Sequence, residues 1–369
     1  MHRTALFFAT ALLSLVAPRN AIASEQQHNG YQPWQLPQTA QSGTVMAPSP
    51  PRRQIAFERT STNVPRKVRH DVDGDGRSDL IWNVTYYKTY PPDAYYLATW
   101  RMDGPATSSV AVSGIPSGYP IRRTGDFNGD GRTDILLGPP RSYYGMPLWL
   151  GRSDGLFDFS SVSDAGLPPG SWNWEILALR ANTDLNGDGR DDLILRDVAA
   201  GRGGYMLMDG TSILGVVSFD LSDEYTITGA GDFDGDGLGD LLCSDTAMGY
   251  LYYWRNRGDG GFDVSLIAVY DPIWTIVGNP DLNGDGRADI VWRNGGMTAL
   301  WWLDGDTVLR ADTKYMGPGI ASAGDYDGDG FGDITLIQLP DIYMWRGRGD
   351  GEFEHYYLGE YAWWWRAIY

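Results

Sequence analysis

Asp71-Val72-Asp73-Gly74-Asp75-Gly76-Arg77-Ser78-Asp79, running on into Leu80-Ile81-Trp82, is the stretch whose reading decides the fold. Its pattern, Asp-x-(Asp/Asn)-Gly-Asp-Gly-x-x-Asp, returns at Asp126, Asp184, Asp232, Asp281 and Asp325, so that six copies start 55, 58, 48, 49 and 44 residues apart. A period of roughly 40 to 50 residues fits four-stranded blades arranged around an axis. Helical solenoids share part of that range, but here each loop runs into a short β-rich stretch such as Asp289-Ile290-Val291-Trp292, and glycines break every candidate helix. The expected fold is therefore all-β, a β-propeller over residues 68–369 with six four-stranded blades.

Between loops, two kinds of segment alternate. Odd blades share an Asp-Gly turn, in Trp100-Arg101-Met102-Asp103-Gly104, Met206-Leu207-Met208-Asp209-Gly210 and Trp301-Trp302-Leu303-Asp304-Gly305. Even blades place a tryptophan six residues before a glycine and an aromatic two residues later: Trp149, Gly155, Phe157; Trp254, Gly260, Phe262; Trp345, Gly351, Phe353. Such alternation points to duplication of a two-blade unit, and the three tryptophans read as blade packing. After the sixth loop the chain ends in Trp363-Trp364-Trp365-Arg366-Ala367-Ile368-Tyr369 with no seventh loop, so the last strand is expected to return to the first blade beside Val68-Arg69-His70 and leave no sheet edge open. Residues 24–67, rich in Pro, Gln and Ser, read as a tether, with a poorly matching seventh blade as the alternative.

Each loop gathers hard oxygen donors at positions 1, 3, 5 and 9 around a glycine at position 6, a donor set that suits calcium. The expected ligands are Asp71, Asp73, Asp75 and Asp79, with the backbone carbonyl of Arg77; Asp126, Asn128, Asp130 and Asp134; Asp184, Asn186, Asp188 and Asp192; Asp232, Asp234, Asp236 and Asp240; Asp281, Asn283, Asp285 and Asp289; and Asp325, Asp327, Asp329 and Asp333. This is not an EF-hand, which needs a bidentate Glu at position 12. That position holds Trp82, Leu137, Leu195, Cys243, Trp292 or Leu336, residues suited to burial in a following strand. Six solvated Asp-Gly turns without metal would leave about four oxygen ligands converging each time with no counter-ion.

The remaining composition narrows the class. Residues 1–23 read as a signal peptide: Arg3 gives a positive start, Ala5 to Ala17 is apolar, and Ala21-Ile22-Ala23 fits a small-residue cleavage pattern. Removing them takes the formal charge from −18 to −20, since Arg3 and Arg19 leave and no acid does. Nucleic acid is thus excluded as a partner. No later stretch is apolar enough to span a membrane. One cysteine, Cys243, excludes an intramolecular disulfide and reads as a small buried hydrophobe, leaving bound metal as the cross-link. Gly151-Arg152-Ser153-Asp154-Gly155 spells a hydrolase nucleophile elbow and Arg257-Gly258-Asp259 and Arg348-Gly349-Asp350 spell Arg-Gly-Asp, yet all three occupy the same repeated turn. After cleavage only His28, His70 and His355 remain, too little for a histidine centre.

These loops and the glycine and aromatic turns after them resemble the FG-GAP or VCBS repeat proteins, which include the propeller of integrin α subunits and some fungal lectins. The resemblance covers about 300 residues. It implies one calcium loop per blade, on the face opposite the usual ligand surface, and a role in adhesion or carbohydrate recognition. Family propellers often have seven blades, and the literal Phe-Gly-Gly-Ala-Pro string is absent here. The expected protein is a monomeric, secreted or periplasmic, non-catalytic module that binds calcium and a glycan or protein ligand. A polysaccharide-active enzyme on the same scaffold is the alternative, although nearly half of the acidic residues sit in the loops.

Overall fold

A computed structural model describes residues 68–86, 94–115, 119–138, 146–163, 174–179, 183–317, 319–338, 340–360 and 365–367. The expected signal peptide and tether lie outside them. The described residues form six four-stranded antiparallel sheets set in a ring, a six-blade β-propeller. Blade 1 contains β1 (Leu80–Tyr86), β2 (Ala94–Asp103) and β3 (Ala106–Ile115); blade 2 contains β4 (Ile121–Gly125), β5 (Asp134–Leu137), β6 (Pro147–Gly151) and β7 (Phe157–Ser161). Blade 3 is built from β8 (Glu175–Ile176), β9 (Leu193–Asp197), β10 (Arg202–Asp209) and β11 (Ser212–Asp220), and blade 4 from β12 (Tyr225–Gly231), β13 (Asp240–Asp245), β14 (Tyr250–Asn256) and β15 (Phe262–Val269). Blade 5 follows with β16 (Thr275–Gly278), β17 (Ile290–Asn294), β18 (Met297–Asp304) and β19 (Thr307–Tyr315). Blade 6 has β20 (Ile320–Gly324), β21 (Asp333–Gln338), β22 (Asp341–Gly347) and β23 (Phe353–Glu360).

The ring closes through β24 (Trp365–Ala367), which joins blade 1 as its fourth strand. Its partner differs from the expectation. β24 pairs antiparallel with β1, in the register Trp82↔Ala367, Asn83↔Arg366 and Val84↔Trp365, rather than lying beside Val68-Arg69-His70. In blades 2 to 6 the strand before each loop fills this place; in blade 1 the described residues before the loop, 68–70, form no strand, and the C-terminal segment takes the vacant edge. The first strands of blades 4, 5 and 6 approach one another and so lie nearest the axis.

Packing follows from the residue behind each loop. Position 12 is buried in every blade, from Trp82 and Leu137 to Cys243 and Leu336. Burial pushes the Cys243 thiol far above its ordinary range, consistent with an inert core residue. Six apolar clusters form, and each is shared by two neighbouring blades; the one between blades 6 and 1 joins Trp82 and Trp100 to Tyr326 and Met344. Burying one sheet face against the next removes apolar surface from water at about 25 cal/mol per Å², so no blade is stable alone and the ring is the folding unit. The alternation is structural too. Odd blades carry a β-bulge just before the Asp-Gly turn, at Arg101/Met102, Leu207/Met208 and Trp302/Leu303.

Candidate metal loops

Five loops link the first strand of their blade to the second, and the first loop leads from residues 68–70 into β1 at the corresponding end, so all six lie on one face of the ring. Their local geometry repeats. In the first loop Asp71 Oδ1 accepts the amides of Gly74 (2.7 Å) and Asp75 (3.1 Å), and its Oδ2 accepts that of Gly76 (2.8 Å). Asp126, Asp184, Asp232, Asp281 and Asp325 accept the position-4 and position-6 amides in the same way. Such a tight wrap needs left-handed backbone at positions 4 and 6, and Gly74 and Gly76 supply it with φ of 82° and 87°. Position 5 accepts the position-7 amide, as in Asp75 Oδ1 with Arg77 N at 2.9 Å.

Position 9 is the most buried acid. Asp79 Oδ2 accepts the Val72 amide and its Oδ1 the Met102 amide from β2, both at 2.8 Å; Asp134, Asp192, Asp240, Asp289 and Asp333 each make the same pair of bonds. One carboxylate thus ties the loop to the third strand of its blade, a structural duty beside the expected ligation. Burial pushes Asp79, Asp134, Asp289 and Asp333 up to about 8, Asp240 up to about 7, and Asp192 well above the carboxylate range. Asp71 and Asp232 rise to about 6 for the same reason. Without a cation, burial disfavours the charged form of these carboxyls; a nearby divalent charge favours it.

Oxygens from positions 1, 3 and 9 converge within 4.8 Å of one another in three loops: Asp71, Asp73 and Asp79; Asp232, Asp234 and Asp240; Asp325, Asp327 and Asp333. Such clusters could hold a metal ion, and the donors are all hard oxygens. The position-5 carboxylates Asp75, Asp236 and Asp329 are not part of them. In the other three loops position 3 is Asn128, Asn186 or Asn283, whose Oδ1 accepts the position-5 amide as the aspartates do.

Two features were not anticipated from the sequence. The position-8 amide of every loop donates to the position-1 carbonyl of the preceding loop, at 2.6 to 2.7 Å, from Thr133 to Asp71 around to Ser78 to Asp325. A closed circle of hydrogen bonds therefore links all six loops. The position-7 side chain also lies over the position-4 glycine of the preceding loop, Arg132 on Gly74 and Arg77 on Gly328 among them. No side-chain pattern signals an amide's partner, although the invariant loop length permits it.

The FG-GAP-like repeat pattern matches residues 71–137, 126–195 and 281–336, each match spanning two successive loops. This chain is an FG-GAP repeat protein. Integrin alpha-IIb of Mus musculus is 32% identical to it over 146 residues, which span 34% of this chain and 14% of the integrin. Among solved structures, an Agrocybe aegerita lectin described as recognising non-reducing terminal N-acetylglucosamine is 16% identical, covering 77% of this chain and 81% of the lectin with a TM-score of 0.49. The WD40 domain of Toxoplasma gondii coronin is 11% identical over 84% of this chain and 75% of its own, with a TM-score of 0.43. Likeness at that level bears on neither ligand nor activity. In this FG-GAP propeller the turns that spell short motifs are structural: Arg257 Nε donates to Asp259 Oδ1 at 3.3 Å, folding the Arg-Gly-Asp tripeptide onto itself. The turns at Arg152, Arg257 and Arg348 close in the same way, through their amides onto Leu156, Gly261 and Glu352. Among the described residues no helix is long and apolar enough to cross a membrane.

Proposed function

We propose that this FG-GAP propeller is an exported, non-catalytic binding or adhesion module whose six loops each hold one calcium ion, with its glycan or protein ligand on the face opposite the loops. The observation that carries the metal assignment is the convergence of the position-1, -3 and -9 carboxylates around an all-oxygen centre, with position-9 acids whose charged form burial otherwise disfavours. The ligands would be those of the loop register: positions 1, 3, 5 and 9, with the position-7 carbonyl. Calcium would neutralise the converging charge and fix the loop backbone, and through the circle of inter-loop bonds the ring.

Two buried acids outside the loops are already committed. Asp197 caps Ala200, and Asp245 caps Ala247 and Met248, each in its own turn. That favours binding over hydrolysis. On the opposite face, half-buried Tyr225, Tyr250 and Tyr252 cluster in blade 4 with ring centroids 5.6 and 6.3 Å apart, a surface able to stack on sugar or peptide. Calcium titration of the purified chain is expected to give about six bound ions, and a glycan array run with and without calcium separates a lectin from a protein-binding module. A chain that binds no calcium, or that turns over polysaccharide, would overturn this reading.

A further inference from the structure

The six loops fall into two classes at position 3, and the difference is matched on a separate strand. In every blade one third-strand amide donates to the position-9 carboxylate, which fixes an equivalent residue just before it. Where position 3 is Asp73, Asp234 or Asp327, that residue is Arg101, Arg255 or Arg346. Where position 3 is Asn128, Asn186 or Asn283, it is Leu150, Leu207 or Trp302.

Geometry explains the pairing. In the asparagine loops Nδ2 donates to the position-5 carboxylate at 3.0 Å in each case. In the aspartate loops Oδ1 keeps its bond from the position-5 amide, at 3.1 to 3.3 Å, but Oδ2 has no proton to donate and faces a second carboxylate. The strand arginine supplies the missing donors. Arg101 Nη1 lies 3.2 Å from Asp73 Oδ2, Arg255 Nε 2.5 Å from Asp234 Oδ2, and Arg346 Nε bonds Asp327 Oδ2. Arg255 and Arg346 also reach position 5, at 3.6 Å from Asp236 and 2.8 Å from Asp329, while in the first loop Arg77 covers Asp75 at 3.4 Å. Counting only the loop carboxylates and the strand arginine, four less one and three with none both give −3; the position-7 arginines Arg77, Arg132, Arg190 and Arg287 add a further positive charge beside position 5 in loops of both classes.

We propose that Arg101, Arg255 and Arg346 are positioning residues of three metal sites. Each cancels the extra charge of an aspartate at position 3 and turns its Oδ1 toward the ion, so that Asp with Arg is interchangeable with Asn and an apolar strand residue. The proposal rests on the calcium reading above.

A double-mutant cycle in the full chain tests it, with calcium alone as the probe. Asp234→Asn, Arg255→Leu and the double variant are compared by equilibrium dialysis at limiting calcium and by melting in calcium and in EDTA. Asp234→Asn leaves Arg255 short of its partner and weakens one site about tenfold, as expected for a unit charge ~6 Å from a divalent ion in water. Arg255→Leu strengthens that site by a similar factor and lowers the metal-free melting temperature. Arg255→Lys, which keeps the charge, returns the affinity. In the double variant both affinity and metal-free melting return to those of the parent chain. If either single variant fails to fold, the same cycle at Asp327 and Arg346 replaces it. Losses of metal-free melting temperature that merely add in the double variant, or an Arg255→Leu chain indistinguishable from the parent in both readouts, would overturn the proposal while leaving calcium binding intact; a parent chain that binds no calcium sinks both.

Discussion

The interface between blades 4 and 5 and that between blades 5 and 6 bury similar apolar clusters, yet they are fastened differently. Both have the bond from position 8 to the preceding position-1 carbonyl. Entering an odd blade, however, the Asp-Gly turn adds a second: Gly305 N donates to Phe233 O at 2.8 Å, and Arg287 Nε reaches Asp234 O at 3.2 Å, so three successive loop carbonyls are engaged. Blade 3 docks on blade 2 through Gly210 N and Phe127 O, and blade 1 docks on blade 6 through Gly104 N to Tyr326 O and Arg77 Nε to Asp327 O. The extra backbone bond from the Asp-Gly turn thus falls between 2 and 3, 4 and 5, and 6 and 1, whereas blades 3 and 4 use Asn256 Nδ2 on Leu185 O at 2.8 Å and blades 5 and 6 use Arg310 Nη1 on Asp350 O at 2.6 Å. The last pair includes blade 1, where β24 pairs with β1 and the ring closes.

Both kinds of seam hang from loop backbone, so the largest expected effect is that of the loops' own charge. In the metal-free protein, position-9 acids with folded values raised to about 8 bind more protons folded than unfolded, where carboxylates titrate near 4. Stability in EDTA should therefore be greatest below about pH 4 and fall as pH rises toward 8. Excess calcium should abolish this fall, because binding requires the deprotonated form; at tenfold excess over Kd each ion adds about 1.4 kcal/mol. Melting curves across pH with and without calcium check this, and equal slopes in the two conditions would contradict it.

A smaller effect separates the seams. Asp333→Ala strands the buried amides of Tyr326 and Gly347 and should cost about 3 kcal/mol in EDTA, as should Asp289→Ala, which strands Leu282 and Leu303. Only Asp333→Ala should also lower hydrogen-exchange protection at Gly104, whose acceptor is the Tyr326 carbonyl. Equal protection in the two variants would show that closure does not depend on loop 6. Smallest is Gly104→Ala, about 1 to 2 kcal/mol, because φ is 61° and the added Cβ would stand 3.3 Å from Asp327 Cβ. Gly295→Ala, with φ of 58° and nothing near, isolates the backbone part at under about 1 kcal/mol, and the excess at Gly104 measures the seam.

Much of this was legible along the chain because each loop carries its own instructions. Spacing gave the blade number, glycines at positions 4 and 6 gave the turn, and an apolar position 12 gave the buried strand after it. The Asp-Gly turns of odd blades were visible as a pattern, but their partners were not, since a carbonyl donated by the preceding blade leaves no mark on any side chain. The strand arginines were equally hidden. Arg255 and Asp234 stand 21 residues apart and meet only because β13 and β14 pair in one register.

By itself, then, the sequence determined that the chain repeats six acidic, glycine-bent loops and follows each with a strand that must be buried, because backbone conformation and apolar patterning are local properties. Only the tertiary structure decided that β24 pairs with β1, that the six loops share one circle of hydrogen bonds, and which arginine neutralises which aspartate. Those depend on strand register and on the curvature that brings the last blade to the first, and both are set by packing between distant segments.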